Sequence, residues 1–383
     1  MGRWRHPCRP SFGWSSRQGA VGTNRPPLRP ASRTLLTMDE PAAAPAFRLA
    51  ALRPPVALAL SGGGARGAAQ AGVAIELIAA GLRPDLIIGT SIGAWNGAWL
   101  AAHPDDVESL ATWWLDAEVR RIFRGMWLGY AGALAWRRSA ALSAGRVDHL
   151  LGRGLGDMTF EELPVRLVIG AADLLTADLV YFDSGPVAPA VRASSAIPTV
   201  LPPVALGDRL LVDGGILDNF GVHEAVRRGA RSIILVDVST YDLVQPPVGL
   251  GEIFDRSTVI AQVHQRRRSA AAAAGAGVPM HLIEASNGES PLDFQHAAAA
   301  LEHGRAVARA WLAGEALPPL RPAPPAEERV RLLQRWRVLE EQLVARMSAM
   351  PLWRRVAQYG NGSDPAVPAA DLEPIDPVGD AAG

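Results

Sequence analysis

The sequence of 383 residues contains no lysine, a single cysteine at Cys8, and no net formal charge. One cysteine excludes a disulfide framework within the chain and a cysteine-based metal site, and it predicts a reducing compartment, the cytoplasm. The balanced charge removes any general attraction to nucleic acid, so we expect no nucleic-acid partner. No apolar run reaches the ~18 residues that a membrane span requires.

The first 38 residues lack aspartate and glutamate, and they also lack the continuous apolar segment of a secretory signal. Their arginine, proline and serine content resembles an organellar presequence. A disordered leader, or a reading frame that begins at Met38, explains the same composition more simply. We therefore predict a disordered leader over residues 1–50.

The composition changes again after residue 315. Residues 316–359 are predicted to form a proline-rich hinge followed by an amphipathic helix at 327–348. Residues 360–383 are acidic and rich in proline and glycine, and they are predicted to be a disordered tail.

Strand-like and helix-like runs alternate from residue 56 to about residue 313, and the strand-like runs are short and apolar without polar alternation. Such strands are typical of a sheet buried on both faces. The pattern predicts an α/β fold over residues 51–315, with a mostly parallel central sheet flanked by helices. The predicted strands are 56–60, 86–90, 166–174, 179–183, 209–213, 232–239 and 280–285. The predicted helices are 68–81, 92–102, 221–229, 254–274 and 294–313.

A glycine-rich loop, SGGGARG, follows the first predicted strand. Such a loop suits either the pyrophosphate of a dinucleotide or the oxyanion of an acyl-transfer intermediate. A dinucleotide site would place an acidic residue at the end of the second strand, but Asp85 comes before that strand. The loop is therefore interpreted as an oxyanion hole made by Gly62, Gly63, Gly64, Ala65, Arg66 and Gly67.

The second strand is followed instead by GTSIG, a G-x-S-x-G sequence between a predicted strand and a predicted helix. This context is typical of a nucleophile elbow, in which a sharp turn lifts the serine hydroxyl to the edge of the sheet. Ser91 is the predicted nucleophile, and the elbow around it is formed by Gly89, Thr90, Ile92 and Gly93.

A serine nucleophile requires a base. Asp213 ends the strand RLLVD, and Gly214 and Gly215 follow it. A carboxylate at the carboxyl end of a strand would lie at the same sheet edge as Ser91, so Asp213 is the predicted base.

At this point the chain resembles the patatin-like phospholipase family. The resemblance rests on GGGARG at 62–67, GTSIG at 89–93, ASSAIP at 193–198 and the Asp-Gly-Gly motif at 213–215. It implies a three-layer α/β sandwich and a Ser91–Asp213 dyad without histidine. It also implies hydrolysis of a lipid or phospholipid ester, with no metal and no cofactor. The family often has Asn-x-Pro after its aspartate motif, whereas this chain has Asn219-Phe220-Gly221, which leaves the substrate preference open.

Three alternatives stay open on the sequence. The first is a histidine triad, for which the chain offers His223, His264, His281, His296 and His303, each of them predicted to be structural. The second is a transacylase or thioesterase that uses the same site. The third is a nucleotide-binding protein that uses the glycine loop only for phosphate.

Residues 120–138 read RRIFRGMWLGYAGALAWRR, with arginines on both sides of an apolar core that includes Trp127 and Trp136. Tryptophan, tyrosine and arginine in this arrangement suit the headgroup zone of a membrane. The segment is interpreted either as a cap helix over the site or as a peripheral membrane contact.

Overall fold

The computed structural model describes residues 45–122, 144–239, 250–286, 291 and 293–315, and in a further helical segment residues 330–331, 333–335, 337–339 and 341–342. The predicted division into leader, catalytic domain, hinge and tail stays a prediction, because most of the leader, hinge and tail lies outside these residues.

The described part of the chain contains an eight-stranded sheet in the order β5-β6-β3-β2-β1-β7-β8, with β4 paired to β3. Strands β1, β2, β3, β7 and β8 are parallel to their neighbours in the centre, whereas β4, β5 and β6 pair antiparallel. The strands are β1 Val56–Leu60, β2 Leu86–Thr90, β3 Arg166–Asp173, β4 Leu179–Phe182, β5 Val204–Leu206, β6 Arg209–Asp213, β7 Ser232–Asp237 and β8 Met280–Glu284.

Helices cover both faces of this sheet. They are α1 Pro45–Ala50, α2 Gly67–Ala79, α3 Ile92–Ala102, α4 Ser109–Leu115, α5 Ala117–Ile122, α6 Ala144–Leu155, α7 Val187–Ser194, α8 Val222–Arg227, α9 Leu250–Gly275 and α10 Ala297–Leu312.

The central strands are apolar throughout because alternate side chains enter two different cores. In β1, Leu58 and Leu60 pack in the larger core with the helices of one face. Ala57 and Ala59 pack in a second core that includes Phe220 and residues of α8 and α9. The predicted fold class, a mostly parallel sheet flanked by helices, is therefore confirmed.

Strands β2 and β6 occupy consecutive stretches of β3. Strand β2 pairs with residues 166–170 of β3, and β6 pairs antiparallel with residues 171–173. Thr90, the last residue of β2, is opposite Gly170, while Asp213, the last residue of β6, is opposite Ala171. The two strands therefore end at neighbouring positions along one shared strand.

Several elements differ from the sequence-based expectation. The prediction omits α4, α5, α6, α7 and β5, and it places the start of α9 four residues late. Residues 45–50, assigned to the leader, form α1, and the Arg48 guanidinium lies 5.2 Å from the centre of the Trp311 ring. The described residues between 330 and 342 are helical, and Val330, Leu333 and Leu339 are exposed.

Candidate active site

Ser91 lies in a strained turn between β2 and α3. Its backbone has φ 57° and ψ −123°, a conformation that costs about 1–3 kcal/mol for a residue with a side chain. A Cβ atom on Gly93 would lie 2.1 Å from the Leu60 carbonyl oxygen, and one on Gly89 would lie 2.3 Å from the Gly93 carbonyl oxygen. The small residues two positions before and after Ser91 are thus required by close backbone approach, as the elbow pattern predicts.

Two serines of the ASSAIP segment hold this turn in place. The Ser91 N–H donates to Ser194 Oγ at 2.8 Å, and the Ser194 hydroxyl donates to the Gly170 carbonyl at 2.6 Å. The Ser195 hydroxyl donates to the Ser91 carbonyl at 3.3 Å. The strained backbone is therefore anchored to residues at the end of α7 and, through Ser194, to β3.

Strand pairing brings the ends of β2 and β6, and with them Ser91 and Asp213, to neighbouring positions along β3. Asp213 is only 7% exposed, and its Oδ1 accepts a hydrogen bond from the Gly215 N–H at 2.9 Å. Burial raises the pKa of the Asp213 carboxyl from 3.8 to about 6, although hydrogen bonds from the Ser91 side chain and the Gly215 N–H act in the opposite direction. Ser91 is itself buried, at 5% exposure.

The glycine loop offers fewer free donors than the sequence suggests. The Gly62 N–H donates to Asn219 Oδ1, the Ala65 N–H donates to the Pro291 carbonyl, and the Gly67 N–H closes the turn at 64–66. Among the described residues, no acceptor lies against the N–H groups of Gly63 and Gly64. Three of the six predicted oxyanion donors are thus hydrogen-bonded within the protein, and the oxyanion hole itself stays a prediction.

Gly64 borders the same pocket as Ser91, and only a residue without a side chain fits at this position. Its φ is +60°, and a Cβ atom there would lie 2.1 Å from the Pro291 carbonyl oxygen. The next helix, α2, begins at Gly67, so its positive dipole end adjoins the loop. This arrangement favours negative charge beside Ser91.

Arg66 and Asn219 brace the loop rather than line the pocket. Arg66 is 2% exposed, and its Nε donates to the Gly63 carbonyl at 3.1 Å. The Asn219 side chain accepts from the Gly62 N–H and donates to the Gly62 carbonyl at 3.4 Å. Gln265 of α9 accepts from the Asn219 N–H and donates to the Gly215 carbonyl. In the sequence, Asn219 stands out only as part of a departure from the family pattern, and no motif there indicates this bridge between the two glycine motifs.

A network of hydrogen bonds between buried side chains supports the glycine loop. Gln70 donates to the carbonyls of Ser61 and Val236, Asn96 donates to the Gly67 carbonyl and to Gln70, and the Trp114 indole donates to Asn96. All three side chains are buried and paired, so this network fixes α2, α3 and α4 relative to the ends of β1 and β7.

A small open pocket of about 40 Å³ lies beside Ser91 and is almost entirely apolar. Ser91 and Ser195 are its only hydroxyl-bearing residues within the described part of the chain. The lining residues are Gly64, Ser91, Ile92, Trp95, Val147, Ser195, Ile197, Val200, Leu201, Pro291 and Phe294.

None of the described histidines lines this pocket. His223, His264 and His303 are exposed, His296 pairs with Asp293, and the His281 ring lies 6.1 Å from that of Trp311. Over the residues that the structure describes, there is also no cluster of three or more side chains suited to a metal ion. Among those same residues, no helix has the length and hydropathy needed to cross a bilayer.

The predicted membrane contact at 120–138 falls mainly on residues 123–143, which lie outside the described residues. Trp127 and Trp136 are among them. Both interpretations of this segment remain predictions.

Comparison with known proteins places these features in a wider group. Residues 58–226 match the family model of patatin-like phospholipases. An uncharacterized NTE family protein of Mycobacterium tuberculosis is 39% identical over 165 residues, which are 43% of this chain and 44% of that protein. The lysophospholipase nte1 of Aspergillus terreus is 34% identical over 207 residues, which are 51% of this chain and 13% of that protein. The chain thus spans less than half the length of these curated relatives.

Two solved structures are similar at lower identity. VipD from Legionella pneumophila has 14% identity and a TM-score of 0.36, with 68% of this chain and 67% of that chain covered. The ExoU–SpcU complex from Pseudomonas aeruginosa has 18% identity and a TM-score of 0.31, with 80% and 61% covered. The fold described above therefore rests on this chain's own structure.

Proposed function

Because this chain contains a domain of the patatin-like phospholipase family, we propose that it is a serine acyl hydrolase that cleaves lipid esters, with Ser91 as nucleophile and Asp213 as general base. The observation that carries the proposal is the placement of the buried Asp213 carboxyl beside the strained turn of Ser91, where pairing to β3 brings the ends of β2 and β6 together. A serine held in that conformation at a pocket mouth, with an acceptor for its proton, is suited to attack a carbonyl carbon.

In the first half of the reaction, Ser91 Oγ bonds to the ester carbonyl carbon while its proton passes to Asp213. The negative charge that develops on the carbonyl oxygen is stabilised by the N–H groups of Gly63 and Gly64, with support from the α2 dipole. The intermediate then collapses, the bond to the alcohol oxygen breaks, and Asp213 returns the proton to the departing alcohol. The acyl group remains on Ser91.

In the second half, Asp213 takes a proton from a water molecule, whose oxygen attacks the acyl carbon. The same two N–H groups stabilise the second oxyanion, and the bond to Ser91 Oγ breaks as Asp213 returns the proton to it. A pKa of about 6 suits this cycle, because the carboxyl is ionised at neutral pH yet is a stronger base than an exposed aspartate.

The substrate we propose is a lipid ester, including a lysophospholipid. The apolar pocket beside Ser91 supports an acyl chain, and relatives named as lysophospholipases support a lysophospholipid. We further propose a cytoplasmic enzyme that reaches its substrate by peripheral contact with membranes.

Labelling by a fluorophosphonate probe tests the proposal. The wild-type protein is expected to become labelled at one serine, because the probe's phosphorus reacts with an activated hydroxyl, and Ser91→Ala is expected to remove the label completely. The matched control is Ser239→Ala, since Ser239 is a buried serine beyond the end of β7 whose hydroxyl donates to Asp237. Undiminished labelling of Ser91→Ala would refute the assignment of the nucleophile. An unlabelled wild type that binds NAD or ATP in calorimetry would favour the nucleotide-binding alternative.

A further inference from the structure

One side of the pocket beside Ser91 is formed by the first turn of α3. Ser91 caps the helix, and Trp95 follows one turn later, about 6 Å further along its axis. Both residues line the pocket, and Val147 of α6 and Leu201 line it from other elements. A straight chain attached to Ser91 would therefore meet the Trp95 ring after a limited length.

Trp95 is held in position by other aromatic side chains. Its ring centre lies 5.2 Å from that of Trp113, which in turn lies 5.3 Å from Trp114 and 6.2 Å from Trp99. Trp114 is fully buried and hydrogen-bonded to Asn96. A ring supported in this way cannot move aside without disturbing a packed cluster, so it can limit the depth of the pocket.

None of the described residues that line the pocket carries a charge that could pair with a charged group of the substrate. Every described residue that borders the pocket, apart from the two serines, is apolar or is glycine. Transfer of a methylene group from water into such a site is favourable, whereas transfer of a phosphate or ammonium group without a partner is costly.

We propose that this pocket binds the acyl chain of the substrate and that Trp95 determines the longest chain it accepts. The inference rests on the proposed function and adds to it which part of the ester enters the protein and which side chain selects it. The alcohol part of the ester then remains on the solvent side of Ser91.

A quantitative expectation follows from the transfer energy of a methylene group. While the chain extends between Ser91 and Trp95, kcat/KM should rise about 4-fold for each added methylene. Once the chain reaches Trp95, the increase should stop. The acyl length at which it stops is the property that the side chain at position 95 controls.

The test measures kcat/KM for p-nitrophenyl esters from butyrate to palmitate, below their aggregation limits. In Trp95→Ala, the acyl length at which kcat/KM stops rising is expected to be longer than in the wild type by at least two methylenes. In Trp95→Phe the same length is expected to increase by less. Val147→Phe narrows the same pocket from α6, so kcat/KM is expected to stop rising at a shorter acyl length. The matched control is Trp99→Ala, which removes an indole from the same helix and the same cluster but from a residue that does not line the pocket.

Two outcomes would overturn the proposal. Trp95→Ala could change kcat/KM by one common factor at all acyl lengths while melting at the temperature of Trp99→Ala. Alternatively, a second series of esters could combine a fixed butyryl group with alkyl alcohols of increasing length. If kcat/KM rises with alcohol length and then stops rising in that series, the alcohol binds in the pocket. The Ser91→Ala variant tests the proposed function separately. If that function is wrong, Ser91→Ala should hydrolyse these esters as fast as the wild type does.

Discussion

Asp213→Asn is expected to lower kcat/KM for ester hydrolysis by about 10³- to 10⁴-fold, because asparagine keeps the shape of the side chain but cannot take the Ser91 proton. The wild-type enzyme should lose activity in acid, since protonated Asp213 is not a base. With a pKa of about 6, kcat/KM should fall tenfold per pH unit below that value and level off above it. A soluble short-chain ester, assayed across the pH range from mild acid to neutral, provides the measurement.

Stability supplies the control for this variant. The pKa of Asp213 is higher in the folded protein than its ordinary 3.8, so the group favours folding when protonated, and that contribution is lost as the pH rises from about 4 through about 6. The asparagine of the variant cannot ionise. The free energy of unfolding of Asp213→Asn relative to wild type should therefore increase by about 3 kcal/mol between acid and neutral pH. A folded, stabilised and inactive variant supports the assigned role, whereas retained activity in a folded variant would refute it.

Gly64→Ala is expected to reduce kcat/KM by about 10²- to 10³-fold, the effect of losing one oxyanion donor. A Cβ atom at this position would lie 2.1 Å from the Pro291 carbonyl oxygen, so the loop must shift and carry the Gly63 and Gly64 N–H groups away from the carbonyl oxygen of the substrate. The loss should appear mainly in kcat, because the donors act on charge that develops in the transition state.

The matched control for that variant is Gly207→Ala in the β5–β6 turn. Gly207 has the same φ of +60°, but a Cβ atom there meets nothing within 4 Å. Both variants carry the left-handed backbone cost of about 1–2 kcal/mol, while only Gly64→Ala creates a steric conflict near Ser91. Equal activity of the two variants would exclude the glycine loop as an oxyanion hole, provided that both remain folded.

The sequence predicts the centre of this fold well. Strands β1, β2 and β6 begin and end at the predicted residues, because each is a short apolar run that stops at a glycine turn. The shared sheet edge expected for Ser91 and Asp213 is not the reason that they lie close together, because β6 runs antiparallel to β3 and its end meets the end of β2 along that strand. For β1 and β2, parallel packing explains why such local patterns suffice, since a strand buried on both faces has few alternatives.

Helices α6 and α7 are not predicted from the sequence, because both contain residues that disfavour helices. Helix α7 contains Pro189, and α6 reads AGRVDHLLGRGL with three glycines, so propensity opposes both helices and tertiary packing overrides it. Asn219 could not be identified as a brace because its partner, Gly62, lies 157 residues away in the chain. The donors of the glycine loop depend on such long-range partners, and no local motif reports them.

The common neighbour of β2 and β6 has a consequence for when the protein becomes active. Since Thr90 and Asp213 are aligned by their pairing to adjacent residues of β3, main-chain hydrogen bonds of that strand set the separation of the reacting groups. A nascent or partly folded chain that has not yet closed the contact between residues 171 and 213 holds a serine without its base. In the proposed mechanism, hydrolytic competence therefore requires that the pairing of β6 with β3 is complete.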